Sequence, residues 1–232
     1  MNILAFDTCM AACSAAVRRG DSGEAQLFRV YERRERGHAE AIVPMILDVM
    51  AQAQLSFSEL DRMAVTVGPG SFSGVRIGVA TARGLALASG FPVAGATTLE
   101  VMARQAIVAG LHGEARCLAI AHDARRGELY LELFDRRAVP LSEPMVVGID
   151  DALNLLPHSG LVVAGSGGPL LAKAAMESGR ELETVLPELL PDAGQLAEMA
   201  GKMPLSTEPL RPLYLRAPDA KPQTAQSLPR QP

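Results

Sequence analysis

The residue of this sequence that is best placed for phosphoryl chemistry is Asp7. It follows the apolar stretch 2–6, which predicts a buried strand, and Thr8 lies next to it. An aspartate at the end of such a strand can organise a metal ion, and a tight hairpin after it can hold phosphate oxygens with backbone amides. Residues 9–12 contain no glycine that would bring amides close to a phosphate. The alternative, in which Asp7 only caps a hairpin, is therefore favoured.

A second candidate for nucleotide binding is the glycine-rich turn at residues 165–168. It follows a strand predicted at 161–164 and precedes a helix predicted at 170–178. Such a turn can approach a nucleotide closely, but the same glycines also serve any tight turn, and the tight turn is again favoured. The residues of this vestigial nucleotide site are Asp7, Thr8, Gly165, Gly167 and Gly168.

A third candidate is the turn that joins a β-branched strand at 65–67 to a long run of small and apolar residues with helical spacing. It consists of Gly68, Pro69, Gly70 and Ser71. Ser71 or Ser73 can cap the amides that open the helix, where an anion could bind. The turn is not a P-loop, because no Gly-Lys-Ser/Thr follows it. It is not a nucleophile elbow either, because Phe72 takes the central position.

Neither a metal centre nor a hydrolytic site is predicted. The sequence has no H-E-x-x-H motif, and its cysteines and histidines lack the spacing of metal ligands. These residues are Cys9, Cys13, Cys117, His38, His112, His122 and His158. We therefore predict no catalytic residue and no metal ligand in this chain.

The helix after the glycine turn has one face that is nearly bare of side chains, because Gly74, Gly78, Ala82 and Ala86 recur every fourth residue. Glycine within a helix costs about 1 kcal/mol relative to alanine, so these positions need an explanation. Small residues let two backbones approach closely. The face can pack on the sheet of its own chain or on a partner helix, and the sequence leaves both alternatives open.

Composition bounds the class of protein. The chain has 232 residues, 48% hydrophobic and 21% charged, which is typical of one or two globular domains. The net charge of -4 argues against nucleic-acid binding by bulk electrostatics. Arg83 interrupts the longest apolar run, so no membrane span is predicted. An odd number of cysteines and an N-terminus without signal-peptide features predict a cytoplasmic protein.

The order of predicted elements indicates an α/β protein with two similar lobes. A hairpin, a third strand, a helix, a strand and a helix occur roughly twice along the chain. We predict an N-terminal lobe at 1–98, a second lobe at 99–216 whose C-terminal helix packs back on the first, and a flexible tail at 217–232.

Four segments together closely resemble the TsaB (YeaZ) family of bacterial tRNA threonylcarbamoyladenosine biosynthesis proteins. They are residues 3–8 (ILAFDT), 37–40 (GHAE), 67–78 (VGPGSFSGVRIG) and 212–216 (PLYLR), and the match runs in order along nearly the whole chain. The resemblance implies an actin-like ATPase (ribonuclease H-like) fold of two lobes, each with a mixed sheet flanked by helices. It also implies a non-catalytic partner of TsaD. With the ATPase TsaE, TsaD transfers threonylcarbamoyl to the tRNA adenosine next to the anticodon.

The resemblance further implies which ligands bind to partner subunits and which residues contact those partners. ATP or ADP and a metal are expected on the partner subunits, because Thr98 and Met102 stand where TsaD relatives carry a metal-binding histidine pair. tRNA is expected to be reached mainly through the complex, and the free protein is expected to be a homodimer. The implied interface for TsaD or a second copy consists of Phe72, Ser73, Gly74, Val75, Arg76, Gly78, Val79, Ala82 and Arg83, with Ile46 and Met50 from the preceding helix. The alternative function is a stand-alone small-molecule kinase or ATPase of the actin-like fold.

Overall fold

The computed structural model describes residues 1–20, 23–110 and 115–216. Within these ranges the chain forms two five-stranded mixed sheets with helices on their faces. His112 and the predicted flexible tail at 217–232 lie outside the described residues. Every helix in the described part of the chain is too short or too polar to cross a membrane.

The first sheet has the strand order β3-β2-β1-β4-β5. Its strands are β1 (Ile3–Asp7), β2 (Ala12–Arg19), β3 (Gln26–Arg33), β4 (Arg62–Thr66) and β5 (Val93–Ala96), and its helices are α1 (His38–Gln52) and α2 (Phe72–Ser89), with a 3-10 turn at Phe57–Glu59. β1 is antiparallel to β2 and parallel to β4. All residues of β1 are buried, because this central strand is covered on both faces.

The second sheet repeats that order as β8-β7-β6-β9-β10. Its elements are β6 (Cys117–Asp123), β7 (Glu128–Phe134), β8 (Met145–Gly148), α4 (Ile149–Leu155), β9 (Leu161–Ala164), α5 (Gly168–Glu177) and β10 (Glu183–Val185). β6 pairs antiparallel with β7 and parallel with β9, as β1 does with β2 and β4. The duplicated order is the ribonuclease H-like arrangement of actin-like ATPases, and the predicted fold class is confirmed.

Two further helices complete the layers. α3 (Thr98–Val108) lies between the lobes, where Leu99 and Met102 share a core with Val75 of α2 and Ile120 of β6. α6 (Ala193–Ala200) packs on the face of the first sheet opposite to α1 and α2. Small side chains on both sides of that contact let the helix lie close to the strands. They are Ala5, Ala16, Ala64, Ala94, Ala193, Ala197 and Ala200.

Local sequence signals explain where the helices begin and end. Ser71 caps α2 by accepting a hydrogen bond from the Gly74 amide at 3.1 Å, and Gly90 ends the helix in the left-handed conformation. Thr97 and Glu100 form a capping box at the start of α3. Pro44 lies inside α1.

Candidate functional site

The carboxyl group of Asp7 is sealed inside the first lobe. The side chain is 0% exposed, and its Oδ1 accepts hydrogen bonds from the Cys9 amide, at 3.2 Å, and from the Thr66 hydroxyl. Its Oδ2 has no hydrogen-bond partner among the described residues. Burial raises the pKa of Asp7 to about 7, and the two hydrogen bonds offset this only in part. The fold therefore favours the protonated form of Asp7 more than water does.

The turn after Asp7 is covered by the glycine turn and the first turn of α2. The Ser71 amide donates to the Cys9 carbonyl at 2.7 Å, and the Thr8 hydroxyl donates to the Gly74 carbonyl at 2.7 Å. A Cβ atom on Gly70 would collide with the Cys9 carbonyl, and one on Gly74 would collide with the Thr8 carbonyl. Backbone atoms of the glycine turn and of α2 thus pack directly against residues 8 and 9 of this hairpin.

The bare face of α2 packs on its own chain, so several residues of the implied interface are buried within the chain. At Gly78 a Cβ atom would lie 2.7 Å from the Thr8 hydroxyl oxygen and 3.5 Å from Val65 Cγ2. The predicted interface residues that are buried within the chain are Gly74, Val75, Gly78, Val79, Ala82, Ile46 and Met50. The physical reason is that α2 must approach the β1–β2 turn closely enough to exchange hydrogen bonds with it. We therefore expect a large side chain at Gly78 to destabilise the fold.

The glycines of the second lobe serve a close approach of the same kind. The Gly167 amide donates to the Ala121 carbonyl at 2.9 Å, and a Cβ atom on Gly167 would lie 2.9 Å from a Leu129 methyl group. Gly165 has a φ of +101°, and its own Cβ would collide with the Ala121 carbonyl. Gly168 faces Thr184 of β10. These contacts tie the turn to its own sheet, which is the tight-turn alternative.

The positions that correspond to the histidine pair are also interior. Thr98 and Met102 are both 0% exposed, and the Thr98 amide donates to the Gly68 carbonyl at 2.8 Å. Hydroxyl and thioether groups in a sealed core do not fit the metal that the family pattern implies. In residues 1–20, 23–110 and 115–216, no three His, Cys, Asp or Glu side chains are grouped to hold an ion.

The cysteines, His38 and His122 lie in largely buried surroundings. All three cysteines are buried, and burial raises the pKa of each thiol. His38 is 7% exposed, and its Nε2 lies 2.9 Å from the Met10 carbonyl, to which it donates. His122 lies 3.1 Å from the Ser166 hydroxyl, and burial lowers its pKa to about 4, so its imidazole is neutral at physiological pH.

A cleft of about 620 Å³ separates the lobes, and sequence reasoning did not anticipate its walls. The first lobe contributes Met10, His38 and the glycine turn, and the second contributes the β6–β7 turn and Tyr130. Residues 213–216 form a third wall. The only sequence signal for this wall was the segment 212–216, whose position in space cannot be read from a local pattern.

The exposed sides of α1 and α2 carry apolar side chains. Val43 is 49% exposed, Leu47 53%, Phe72 50% and Leu87 90%. Of the interface residues implied by the resemblance, Phe72, Ser73, Arg76 and Arg83 are exposed. The Arg76 guanidinium lies 3.6 Å from the centre of the Phe72 ring, and Phe72 stacks on Tyr214 at 5.5 Å. α1 and α2 also contact each other, so their outer sides belong to one helical layer.

Comparisons with known proteins point to one family. A family model described as TsaD, tRNA N6-adenosine threonylcarbamoyltransferase, matches residues 30–189. An Escherichia coli protein named tRNA threonylcarbamoyladenosine biosynthesis protein TsaB is 33% identical over 231 residues, covering 93% of this chain and 95% of the relative. A Haemophilus influenzae protein of the same name is 31% identical, covering 93% and 94%.

The structural comparison agrees. A crystal structure from Pseudomonas aeruginosa, described as an uncharacterized protein with similarity to peptidase YeaZ, superimposes with a TM-score of 0.78 and 28% identity. The alignment covers 93% of this chain and 99% of that one. The likeness therefore extends over both lobes.

Proposed function

Because the chain belongs to the TsaB (YeaZ) family, we propose that it is a non-catalytic subunit of the assembly that makes threonylcarbamoyladenosine in tRNA. In this proposal it docks TsaD, together with TsaE, and makes TsaD competent to transfer threonylcarbamoyl to the adenosine next to the anticodon. ATP or ADP and the metal are bound by the partner subunits, and tRNA is reached mainly through the complex. Alone, the chain forms a homodimer.

The observation that carries the proposal is the covered turn after Asp7. In a phosphoryl-transferring member of this fold, that turn has to leave room for phosphate and metal. Here the Ser71 amide bonds the Cys9 carbonyl, and the Gly74 backbone bonds the Thr8 hydroxyl. Opening the site would break these contacts and expose a carboxyl group that has no charged partner within the described lobe. This supports the proposal that the chain shares the fold of phosphoryl-transferring proteins but does not transfer phosphate itself.

A peptidase role has less support. Ser71 uses its hydroxyl oxygen to cap α2, where it accepts from the Gly74 amide. The cysteines are buried, with thiol pKa values raised by burial. A hydrolytic nucleophile instead needs exposure and a base within hydrogen-bond reach.

We place the docking surface on the outer sides of α1 and α2. Exposed apolar side chains on two adjoining helices are typical of a protein interface. The proposed surface consists of Val43, Leu47, Phe72, Ser73, Arg76, Arg83 and Leu87. The same surface serves TsaD and, in the free protein, a second copy.

The test is co-purification with TsaD and TsaE, followed by a tRNA modification assay in which each component is omitted in turn. Leu47→Asp is expected to weaken TsaD binding by about tenfold or more, because a carboxylate would be buried in the interface. Met176→Asp is the matched control, since Met176 is a 73% exposed apolar residue on a helix of the second lobe. Equal loss in both variants, or modification without this chain, would contradict the proposal.

A separate assay addresses the alternative of a kinase or ATPase. The purified protein is expected to show no ATP turnover, with or without magnesium. Metal-dependent turnover that disappears in Asp7→Ala would favour the alternative.

A further inference from the structure

The segment 206–216 runs from the edge of the first sheet to the second lobe. The Ser206 amide donates to the Val93 carbonyl of β5 at 2.9 Å. A Cβ atom on Gly95 would lie 3.0 Å from a methyl group of Leu210, so Leu210 packs directly on Gly95. Leu210 also contacts the cores of both lobes. The Leu213 amide then donates to the Val67 carbonyl at 2.7 Å. Two backbone hydrogen bonds thus hold the segment against β5 and against the residue that precedes the glycine turn.

Two side chains near its end attach it to different lobes. The Tyr214 hydroxyl accepts a hydrogen bond of 2.7 Å from Arg76 Nε of α2, and its ring stacks on Phe72. Arg216 donates to the Ala124 carbonyl at 3.2 Å and to the Glu128 carboxylate, both of which belong to the β6–β7 hairpin. Tyr214 and Arg216, two positions apart in the chain, therefore connect the start of α2 with the hairpin across the cleft.

Residues 213–216 adjoin both the interlobe cleft and the proposed docking surface. Residues 213–216 line the interlobe cleft, so their attachment to both lobes limits how far the cleft can open. Phe72 and Arg76 belong to the proposed docking surface, where Tyr214 holds them in a stack of two rings and a guanidinium. A shift of the hairpin would pull on Arg216 and, through the chain, on Tyr214.

We propose that residues 212–216 form a strap through which closure of the interlobe cleft and the arrangement of Phe72 and Arg76 for the partner depend on each other. This inference rests on the proposed function, because it concerns the regulation of the same docking surface. A partner that requires the stacked arrangement binds the closed protein more tightly, so by linkage its binding favours closure. The strap gives the second lobe, which has no residue in the docking surface, an influence on docking.

The central experiment measures TsaD affinity for Arg216→Ala. This change removes the anchor on the second lobe and leaves the stack itself intact. Coupling energies of this kind correspond to roughly 5- to 150-fold, and we expect a loss of about 5- to 20-fold here, because Arg216 is only partly buried. The matched control is Arg211→Ala in the same segment. Arg211 is 81% exposed and pairs with Glu208, which is 75% exposed, so less than a twofold change is expected.

A thermodynamic cycle tests whether Arg216 acts through Tyr214. In a Tyr214→Ala background, Arg216→Ala is expected to cause no further loss, because the connection is already cut. Additive losses would overturn the proposal. Glu128→Gln weakens the same contact by changing the partner of Arg216. If the loss of TsaD affinity comes from this contact, Glu128→Gln reproduces it, whereas local damage at residue 216 would affect only the Arg216 variant.

Hydrogen exchange on the free protein provides a readout that does not involve TsaD. If the strap exists, Arg216→Ala raises amide exchange both in residues 124–128 and in residues 72–76. Increased exchange in the hairpin alone would overturn the strap, even if TsaD binds. Failure of the wild-type chain to bind TsaD, with exchange raised at both ends in the variant, would overturn the proposed function and leave the strap standing.

Discussion

The two lobes share one strand order but use the end of the first hairpin differently. In the first lobe the β1–β2 pairing ends at Asp7 opposite Ser14. In the second lobe Ile120 pairs with Ala164 as Phe6 pairs with Val65, so Ala121 takes the place of Asp7. The second hairpin then continues to Asp123 opposite Leu129 and reaches the cleft. The first hairpin is covered at residues 8 and 9 and reaches the cleft at Met10, whereas the second hairpin is longer and lines the cleft with residues 122–125.

The comparison separates the fold from the activity that the fold supports elsewhere. Both lobes place a glycine where a turn presses on the first strand, namely Gly70 against Cys9 and Gly167 against Ala121. Only in the first lobe does the helix after that turn also cover the hairpin, through Gly74 and Thr8. The packing of α2 on residues 8 and 9 thus distinguishes the two hairpins, whereas the strand order is the same in both lobes.

The first prediction has the largest expected effect and concerns the contact between α2 and the turn after Asp7. Gly74→Ala would drive a methyl group into the Thr8 carbonyl, and because backbone cannot move aside, we expect a loss of about 4 kcal/mol or more in unfolding free energy. The measurement is urea denaturation followed by circular dichroism.

Gly84→Ala is the control in the same helix, because nothing lies within 4 Å of its Cβ position. It is expected to raise stability by up to about 1 kcal/mol, since alanine is the better helix former. Equal effects of the two changes would show that α2 does not press on the hairpin.

The second prediction concerns pH and uses one buried carboxyl from each lobe. The pKa of Asp7 is raised to about 7 by burial. The pKa of Glu132, which is 2% exposed, is raised to about 8, mainly by burial and next by the nearby Glu100 carboxylate. Both raised values mean that the fold favours the protonated acid. The stability that each group confers is complete below its ordinary pKa and is lost as pH rises through 7 and 8.

We therefore expect the unfolding free energy to fall by several kcal/mol between pH 5.5 and pH 8.5, because each pH unit between the ordinary and the raised pKa of one group corresponds to about 1.4 kcal/mol. Asp7→Asn should remove the part of the decline that levels off near pH 7, and Glu132→Gln the part that continues to about pH 8. Urea midpoints at a series of pH values measure this. A flat profile in the wild type would contradict the burial of both groups.

The third prediction has the smallest expected effect and concerns the β6–β7 hairpin of the second lobe. Arg125, at the tip of the β6–β7 hairpin, has a φ of +67°, which favours glycine. Its ion pair with Asp123 is 3.6 Å long, and its side chain is 83% exposed. Arg125→Gly is expected to change the unfolding free energy by less than about 1 kcal/mol, towards higher stability, because relief of the backbone offsets a weak ion pair.

The same denaturation assay measures this change, and TsaD affinity should stay within twofold. A loss comparable to that of Gly74→Ala would mean that the second hairpin is as tightly packed as the first.

Much of the fold could be predicted because it depends on neighbours in sequence. The strands predicted at 2–6 and 65–67 correspond to β1 and β4, and the helix predicted at 170–178 corresponds to α5. Ser71 was one of two possible caps and is the one used. β10 was missed, because Glu183–Val185 is too short and too exposed to show alternation, and it exists as a strand through its parallel pairing with β9.

The candidate site was less predictable, because its features depend on which surfaces meet. The spacing of Gly74, Gly78 and Ala82 showed that something must approach α2 closely, and the sequence left open whether this was a partner or the same chain. The structure places Thr8 there, from the other end of the lobe's sequence. The exposed residues of α1 and α2 could then be separated from those that pack inward.

The sequence by itself determined the elements, their order, the two-lobed α/β class and the family, because periodicity, turn residues and motif spacing are properties of adjacent residues. Only the tertiary structure decided that the bare face of α2 covers the Asp7 hairpin, that the second hairpin lines the cleft and that residues 212–216 connect the lobes. Each of these results from contacts between segments far apart in the chain, and no local pattern specifies which of several compatible surfaces will meet.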